Sequence, residues 1–436
     1  MPYPFWLTKA LVRTGIARWL PGVRRRLDGG AACLRYLSDR CLAAPLDGLA
    51  DLAAYTLPPV IDRGLTPDAI DLAGLAPRLE LPPPARTPAA RGYPPPGGLP
   101  ELRSAVADHL AGGRLNVTGG DDVLITAGAT GAFAVALDTF VNPGDRVALF
   151  GPTSPLFRLG LEHRRARVRW VPTTTEDGRV RFGMESFTRA LPRAKLVVLS
   201  QPANPTGGVF APEDLEQIAW WANKFDVLIY CDESFARFRD DDHVSLGSLA
   251  PAARRTLTAG SVTFGWGLAA ARVGWLAGYR HLVRPCAVSA AVACPFPPAA
   301  GQQAALTALR QPKDSFAPAR AAVASKRRYA VERLTAAGLE PTLPGGGLFV
   351  WLPVAALGLT GRAFADRLFA DKRVLVTPGE LYGPGGEGHV RLSLAADDGR
   401  LREGLGRLAE FVGELRPAAV AEPVAEVPAD ESAAVG

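Results

Sequence analysis

The sequence Thr126-Ala127-Gly128-Ala129-Thr130-Gly131-Ala132 stands between a short apolar run and a helix-compatible stretch. Small residues at such a junction let backbone N–H groups approach an anion at the positive end of the helix dipole. A tight turn between a strand and a helix needs the same residue types. This stretch alone is therefore compatible with phosphate binding and with a purely structural turn. The surrounding sequence is needed to distinguish the two.

Short β-branched runs recur on both sides of this turn, and helical stretches separate them between about residues 100 and 310. Fully apolar strands that alternate with helices predict an α/β fold with a mostly parallel sheet covered on both faces. After about residue 315 a long charged helix, two strands and a closing helix indicate a smaller α+β unit. The predicted strands are Val123–Thr126, Arg146–Phe150, Leu196–Ser200, Val227–Cys231, residues 347–352 and residues 389–394.

Composition shifts predict how the chain is divided. Residues 1–80 are interpreted as an N-terminal arm and the start of a small domain, and residues 81–310 as a large α/β domain. Residues 311–415 complete the small α+β domain. Residues 416–436 repeat Ala, Pro, Val and Glu without aromatic residues, so a disordered tail is expected there.

Charge and cysteine usage exclude several classes of function. The formal net charge is +6, from 49 basic and 43 acidic residues, and the basic residues are scattered, so no nucleic-acid footprint is expected. The sparse cysteines and histidines show no metal-ligand spacing, and no apolar run reaches the length of a membrane span. We expect a soluble, cytoplasmic protein without a metal site or transmembrane segment. The five cysteines, expected to be reduced thiols, are Cys33, Cys41, Cys231, Cys286 and Cys294.

Two further motifs follow predicted strands. Asn204-Pro205-Thr206-Gly207 comes after the strand ending at Ser200, and its residue types would also suit an ordinary turn. Asp232-Glu233 lies at the carboxyl end of the next strand, which is the edge where open α/β sheets bind ligands. A lone aspartate there more often caps a helix. Each motif is weak by itself.

The order and spacing of these motifs resemble the class I/II aminotransferase family, whose members are pyridoxal-phosphate (PLP) enzymes of fold type I. The glycine-rich turn, Asn204-Pro205-Thr206-Gly207 about 75 residues on and Asp232-Glu233 about 28 further stand in the family's order. The histidinol-phosphate aminotransferase and threonine-phosphate decarboxylase branches look most similar. Further matching segments are residues 93–103, Ser261 to Gly274, residues 346–351, Pro378-Gly379 and residues 390–393.

The resemblance implies a set of roles. PLP or pyridoxamine phosphate (PMP) would bind in the large domain of a homodimer that takes an amino-acid-like small molecule, which suits a role in amino acid metabolism. Asp232 would pair with the pyridine nitrogen and Asn204 with the phenolic oxygen. Arg391 would clamp the substrate carboxylate, and Tyr93 would reach the partner subunit's cofactor. The cofactor phosphate would be held by Gly128, Ala129, Thr130, Ser261 and Arg272.

The chain departs from the family pattern at the residue that carries the chemistry. Phe264 stands in the slot of the Schiff-base lysine, eight residues before Arg272, and the flanking residues align without a gap. The family usually has an aromatic residue at Ser154 and a tyrosine at Phe235. No shift of register restores the lysine, because the whole chain holds only Lys9, Lys195, Lys224, Lys313, Lys326 and Lys372.

Phenylalanine can neither store PLP covalently nor move the proton of the substrate α-carbon. No catalytic residue is therefore predicted, and ordinary transamination is not expected. Three functions stay open: noncovalent binding of PLP, PMP or an amino-acid adduct; a PMP-using enzyme with altered chemistry and another base; and a pseudoenzyme that keeps only the scaffold.

Overall fold

The computed structural model describes residues 68–74, 92–112, 119–239 and 241–415, together with Leu115 and Val117. Of the predicted N-terminal segment 1–80 only residues 68–74 are described, and the predicted tail, residues 416–436, lies outside the described residues.

Strands form where β-branched and other apolar residues run together, since such side chains pack well on a pleated surface. Most of these strands are almost wholly buried, as expected for a sheet covered on both faces. In chain order they are β1 (Ile70–Asp71), β2 (Val123–Thr126), β3 (Arg146–Gly151), β4 (Arg167–Glu176), β5 (Arg179–Phe182), β6 (Ala194–Ser200), β7 (Leu228–Asp232), β8 (Thr256–Ser261), β9 (Gly274–Ala277), β10 (Phe349–Pro353), β11 (Val374–Leu375), β12 (Thr377–Pro378) and β13 (His389–Ser393).

Helices occupy the stretches between the strands, and several begin with proline in the first turn, where its missing N–H costs nothing. In chain order they are α1 (Pro100–Gly112), α2 (Gly128–Phe140), α3 (Pro155–His163), α4 (Met184–Ala190), α5 (Pro212–Lys224), α6 (Val262–Gly265), α7 (Arg280–Ala293), α8 (Ala299–Leu309), α9 (Ala317–Ala336), α10 (Gly361–Lys372) and α11 (Asp398–Leu415).

The large sheet has eight strands in the order β2-β9-β8-β7-β6-β3-β4-β5. The pairs from β8 through β7, β6 and β3 to β4 are parallel, whereas β9 and β5 run antiparallel to their neighbours. This confirms the predicted mostly parallel α/β fold. The carboxyl ends of β2, β7 and β8 lie at one edge of the sheet, and this edge carries the predicted site.

The two faces of this sheet are covered by different helices. Tyr230, Leu257 and Leu276 pack with α2 and α7 on one face. Trp275 and Ile125 pack with α1 and α8 on the other face. Neighbouring residues along β7, β8 and β9 therefore serve opposite sides of the sheet, as the period of two requires.

A smaller unit stands on β10, β13 and β12, paired antiparallel in that order, with β1 paired parallel to β11 beside them. Its core is separate from that of the large sheet and includes residues from α9, α10 and α11. The predicted strand over residues 347–352 begins two residues later, because Gly347 has φ +73° and cannot continue a strand.

Candidate active site

The first part of the site forms where β2, β8 and β9 end or begin together. Ser261 and Gly274 are paired across β8 and β9, and Thr126 is paired with the same Gly274 from β2. A Cβ atom at Gly274 would stand 2.4 Å from the carbonyl carbon of Gly128, so only glycine allows this approach. The sheet thereby presses the N-terminus of α2 against the strand that follows Arg272.

Arg272 lies at this helix N-terminus. A Cβ atom built on Gly128 would be 2.9 Å from Arg272 Nη2, and Gly128 itself has φ +72°. Arg272 adopts φ 52°, is exposed and forms no ion pair with the described part of the chain. A guanidinium fork beside free helix N–H groups makes a suitable site for a phosphate.

Ser261 completes this group from the neighbouring strand. Its side chain is buried, with 2% of its surface exposed, and its Oγ has no hydrogen-bond partner among the described residues. A buried hydroxyl without a partner costs free energy unless a ligand or water meets it. The glycine turn, the guanidinium and the free hydroxyl fit a bound phosphate group.

Asp232 stands at the carboxyl end of β7 on the same edge. It is half-buried, and its Oδ1 accepts the Ser234 N–H at 2.9 Å. Burial raises the pKa of the Asp232 carboxyl, and its hydrogen bonds from Ser234 only partly oppose this. No cation of the described chain pairs with this carboxylate, so a protonated ring nitrogen would be a fitting partner. Asp232 does not cap a helix, because the following 3-10 turn begins beyond Phe235.

Arg391 on β13 faces the site from the smaller unit and is 1% exposed. Its Nη1 donates to Asn204 Oδ1 at 3.1 Å, and its Nη2 donates to the Ala73 carbonyl at 2.9 Å. Burial lowers the pKa of Arg391, and the nearby Tyr382 and Asp71 raise it. No carboxylate within the described ranges forms an ion pair with Arg391, and its Nε has no partner there. A buried cation without a counterion favours an anionic ligand.

Aromatic rings fill the place beside Arg391. Phe264 stacks on Phe235 with ring centroids 4.3 Å apart and planes at 22°. Phe235 also meets Phe349 edge-on at 5.2 Å, and the Arg391 guanidinium lies 4.3 Å from the centre of the Phe349 ring. The two phenylalanines that depart from the family pattern are thus in direct contact. The two replaced positions therefore form one continuous apolar surface.

The remaining predicted residues are Ser154, Ala129, Thr130 and Tyr93. Ser154 precedes α3 without forming a side-chain cap, and the N–H of the adjacent Thr153 donates to the Tyr382 carbonyl at 2.9 Å. Ala129 is half-buried and Thr130 is exposed on the first turn of α2. Tyr93 is 86% exposed and stacks on Phe296, so within one chain it is apart from the other site residues.

Sequence reasoning missed the partners of Arg391. The Ala73 carbonyl and Thr377 Oγ1, at 3.3 Å, both accept from Nη2, and the Tyr382 ring lies 5.3 Å from the guanidinium. These residues are far apart in sequence and carry no motif of their own. Only the pairing of β12 with β13, which sets Thr377 opposite Arg391, could have indicated one of them.

The sequence predicted neither a metal site nor a transmembrane segment. No group of three or more potential metal-ligating side chains occurs within it. None of its helices combines the length and apolar character needed to span a bilayer. Cys231, Cys286 and Cys294 are free thiols, whereas Cys33 and Cys41 lie outside the described residues.

The eight-stranded sheet, the helix N-terminus beside Arg272 and the aspartate at the end of β7 define a fold-type-I PLP-dependent architecture. Solved structures support this class. Aspartate aminotransferase from Thermus thermophilus with maleate matches with a TM-score of 0.76 and 28% identity, covering 86% of this chain and 99% of that one.

The chain belongs to the aminotransferase class I and II family, whose model matches residues 78–408. It is 31% identical to the arginine–pyruvate transaminase AruH of Pseudomonas aeruginosa over 320 residues, which are 73% of this chain and 81% of that protein. It is also 31% identical to the aspartate/prephenate aminotransferase of Thermus thermophilus over 338 residues, 76% of this chain and 86% of that protein.

Proposed function

We propose that this protein binds PLP, PMP or an amino-acid adduct of the cofactor noncovalently and does not carry out ordinary transamination. The observation that carries the proposal is the stack of Phe264 on Phe235 in a site whose polar residues keep their binding capacity. Ser261 Oγ and the Arg391 Nε have no partner in the described structure, and Arg272 has no carboxylate. In a protein that binds no ligand here, buried polar groups without hydrogen-bond partners would only cost free energy.

Each group would hold a different part of the ligand. Gly128, Ala129 and Thr130 would offer N–H groups to the phosphate, together with Ser261 and Arg272. Asp232 would hold the ring nitrogen protonated, and Asn204 would serve the phenolic oxygen while orienting Arg391. When bound, the cofactor supplies an electron-withdrawing ring conjugated to the amino group.

Arg391 would take the carboxylate of an amino-acid-like ligand. Asn204 Oδ1 and the Ala73 carbonyl hold its two terminal nitrogens in place before a ligand arrives, so little side-chain entropy is lost on binding. The similar solved structure that contains maleate, a small dicarboxylate, supports this ligand class. The resemblance to the histidinol-phosphate aminotransferase and threonine-phosphate decarboxylase branches stays a prediction.

Phe264 is the reason that ordinary transamination is not expected at this site. The phenyl ring has no titratable group, so the side chain at position 264 cannot take a proton from the α-carbon of a bound ligand. General acid–base catalysis contributes about a hundred- to ten-thousand-fold to such rates. Ser154 and Phe235 add two further losses, since the cofactor ring would lack a stacking aromatic and a phenolic hydrogen-bond donor. We infer a cytoplasmic pseudoenzyme that does not carry out transamination but still binds the ligand.

Reduction with borohydride tests whether any cofactor is linked to the chain. Protein incubated with PLP, reduced and measured as an intact mass is expected to show the unmodified chain, because the lysine slot holds Phe264. The unreduced sample, passed through gel filtration and analysed for released PLP, reports whether cofactor was bound at all. A mass gain of one phosphopyridoxyl group on a single lysine would contradict the proposal.

We infer a homodimer from two groups of exposed apolar residues. Val288 and Val292 lie one turn apart on α7 and are 70% and 88% exposed. Tyr93, 86% exposed, and Phe296 stack with centroids 4.9 Å apart. Large exposed apolar side chains grouped in this way indicate a protein–protein contact. The resemblance places Tyr93 at such an interface, where it would reach the partner subunit's cofactor.

Val292→Asp is expected to shift the protein from dimer to monomer, because the new carboxylate would be desolvated in the contact. Light scattering at micromolar concentration measures this shift. Leu343→Asp is the matched control, since Leu343 is also an exposed apolar residue, at 48%. A wild-type protein that is monomeric under these conditions would contradict the dimer.

A further inference from the structure

A second cavity lies on the face of the large sheet that packs against α1 and α8. Its volume is about 760 Å³, which is in the range of cavities that bind small molecules. Trp275 and Thr258 line it from the sheet, whereas Leu276 and Leu257 on the same strands face α2. The sheet thus lies between these cavity residues and Asp232, but Ser261 of the phosphate-binding group also lines the cavity. Its lining also includes Ser104, Glu233, Arg237, His243 and Trp266 beside Trp275.

Three acidic residues line the cavity: Glu101 and Asp108 are exposed to solvent, and the buried Glu233 is already satisfied. Glu233 Oε2 lies 2.8 Å from His243 Nε2, and Glu233 Oε1 accepts the Ser245 hydroxyl at 2.7 Å. Glu233 is 9% exposed. Two close donors compensate the carboxylate, so it places no further demand for a cation on the cavity.

Two arginines line the cavity: Arg310 is exposed to solvent, and the half-buried Arg237 is not satisfied in this way. Arg237 lies between two rings, 4.2 Å from the Trp266 centroid and 3.9 Å from the Phe316 centroid. Its Nη1 donates to the Gly265 carbonyl at 2.8 Å, and no carboxylate of the described chain pairs with it. Burial and the neighbouring Arg320 lower the pKa of Arg237 to about 10, so the guanidinium stays charged at neutral pH.

The rest of the wall is largely apolar with a few free polar atoms. Trp275 lies so close to Gly260 that a Cβ atom there would stand 2.6 Å from its ring. The Trp275 Nε1 and the Thr258 Oγ1 have no hydrogen-bond partner among the described residues. An apolar wall with a few polar groups and a half-buried, unpaired cation is typical of a site for a small organic anion.

We propose that this cavity is a second binding site that takes a small organic carboxylate with an apolar body, with the carboxylate paired to Arg237. The apolar body lies against Trp266 and Trp275. Arg237 also contacts the segment that carries Phe264, because a Cβ atom at Gly265 would stand 2.8 Å from Arg237 Cδ. Ser261 lines both this cavity and the proposed phosphate site, whereas Arg237, Trp266 and Trp275 have no part in the function proposed above.

Calorimetric titration of the full chain with 2-naphthoate and with 2-naphthamide tests the site, since the two probes differ in charge and share the ring system. We expect the carboxylate to bind about 10- to 100-fold more tightly than the amide, from its charge-assisted hydrogen bonds to Arg237. Arg237→Gln is expected to remove this preference. Arg333→Gln, which removes an exposed arginine from α9, is the matched control and should retain it.

Two further measurements separate the cavity from the cofactor cleft. Binding of 2-naphthoate is expected to be unchanged by Arg391→Gln, because Arg391 does not line this cavity. Ser104→Trp, at an exposed position of the cavity wall, should block binding without touching the core, and it replaces Arg237→Gln if that variant does not fold. Equal binding of the two probes, no binding of either, or loss of binding in Arg391→Gln but not in Arg237→Gln would overturn the proposal.

Discussion

Phe264→Lys is expected to convert noncovalent cofactor binding into a covalent imine link. The phosphate-binding residues and Asp232 would hold PLP in place, and the new amine would stand where Phe264 now lies. Lysine is longer and slimmer than phenylalanine, so it should fit the volume. The loss of the stack on Phe235 should cost about 0.5–1.5 kcal/mol, which the fold can bear.

The visible spectrum after addition of PLP and the intact mass after borohydride reduction measure this change. We expect labelling of nearly every variant chain and none of the wild type. Phe264→Leu is the control, because it also removes the stack but adds no amine. Transaminase activity of the lysine variant should be weak, and tyrosine at position 235 with an aromatic residue at position 154 should raise it. A lysine variant that binds no PLP would make the scaffold-only pseudoenzyme the better account.

The phosphate-binding residues give the second large effect. Arg272→Gln should weaken PLP binding about 10- to 100-fold, because it removes the charge-assisted hydrogen bonds to the phosphate. Ser261→Ala should weaken it less, by about 3- to 10-fold, since its hydrogen bond is made by a neutral group. Calorimetric titration with PLP and with pyridoxal, which lacks the phosphate, measures both effects.

The pyridoxal titration and the stability of the ligand-free protein serve as controls. Pyridoxal binding should be unaffected by either substitution. Ser261→Ala should leave the melting temperature unchanged or slightly higher, because Ser261 Oγ is buried without a partner in the described structure. If both variants bind PLP as the wild type does, the phosphate lies elsewhere.

The sequence predicted the sheet well for a physical reason. The strands β2, β3, β6 and β7 are runs of buried apolar residues between helices, so their position and type follow from local composition. Asp232 and Ser261 could be placed at one sheet edge because the carboxyl ends of parallel strands meet there. These predictions needed no knowledge of side-chain packing.

Contacts between distant segments could not be predicted in the same way. Phe235 and Phe264 are 29 positions apart, and their stacking depends on how the turn after β7 meets the turn after β8. The buried environment of Arg391 brings together the Ala73 carbonyl, Asn204 and Thr377 from three separate segments. Neither local propensity nor hydrophobic periodicity carries such information.

A titration of the wild-type full chain with PLP, followed by calorimetry and by visible absorbance in the same samples, tests the central claim most directly. We predict saturable binding of PLP whose spectrum stays that of the free aldehyde, because Phe264 cannot form an imine. The absence of binding heat and of any retained PLP would contradict cofactor binding. A shift to the absorbance of a lysine-linked cofactor would contradict the noncovalent mode.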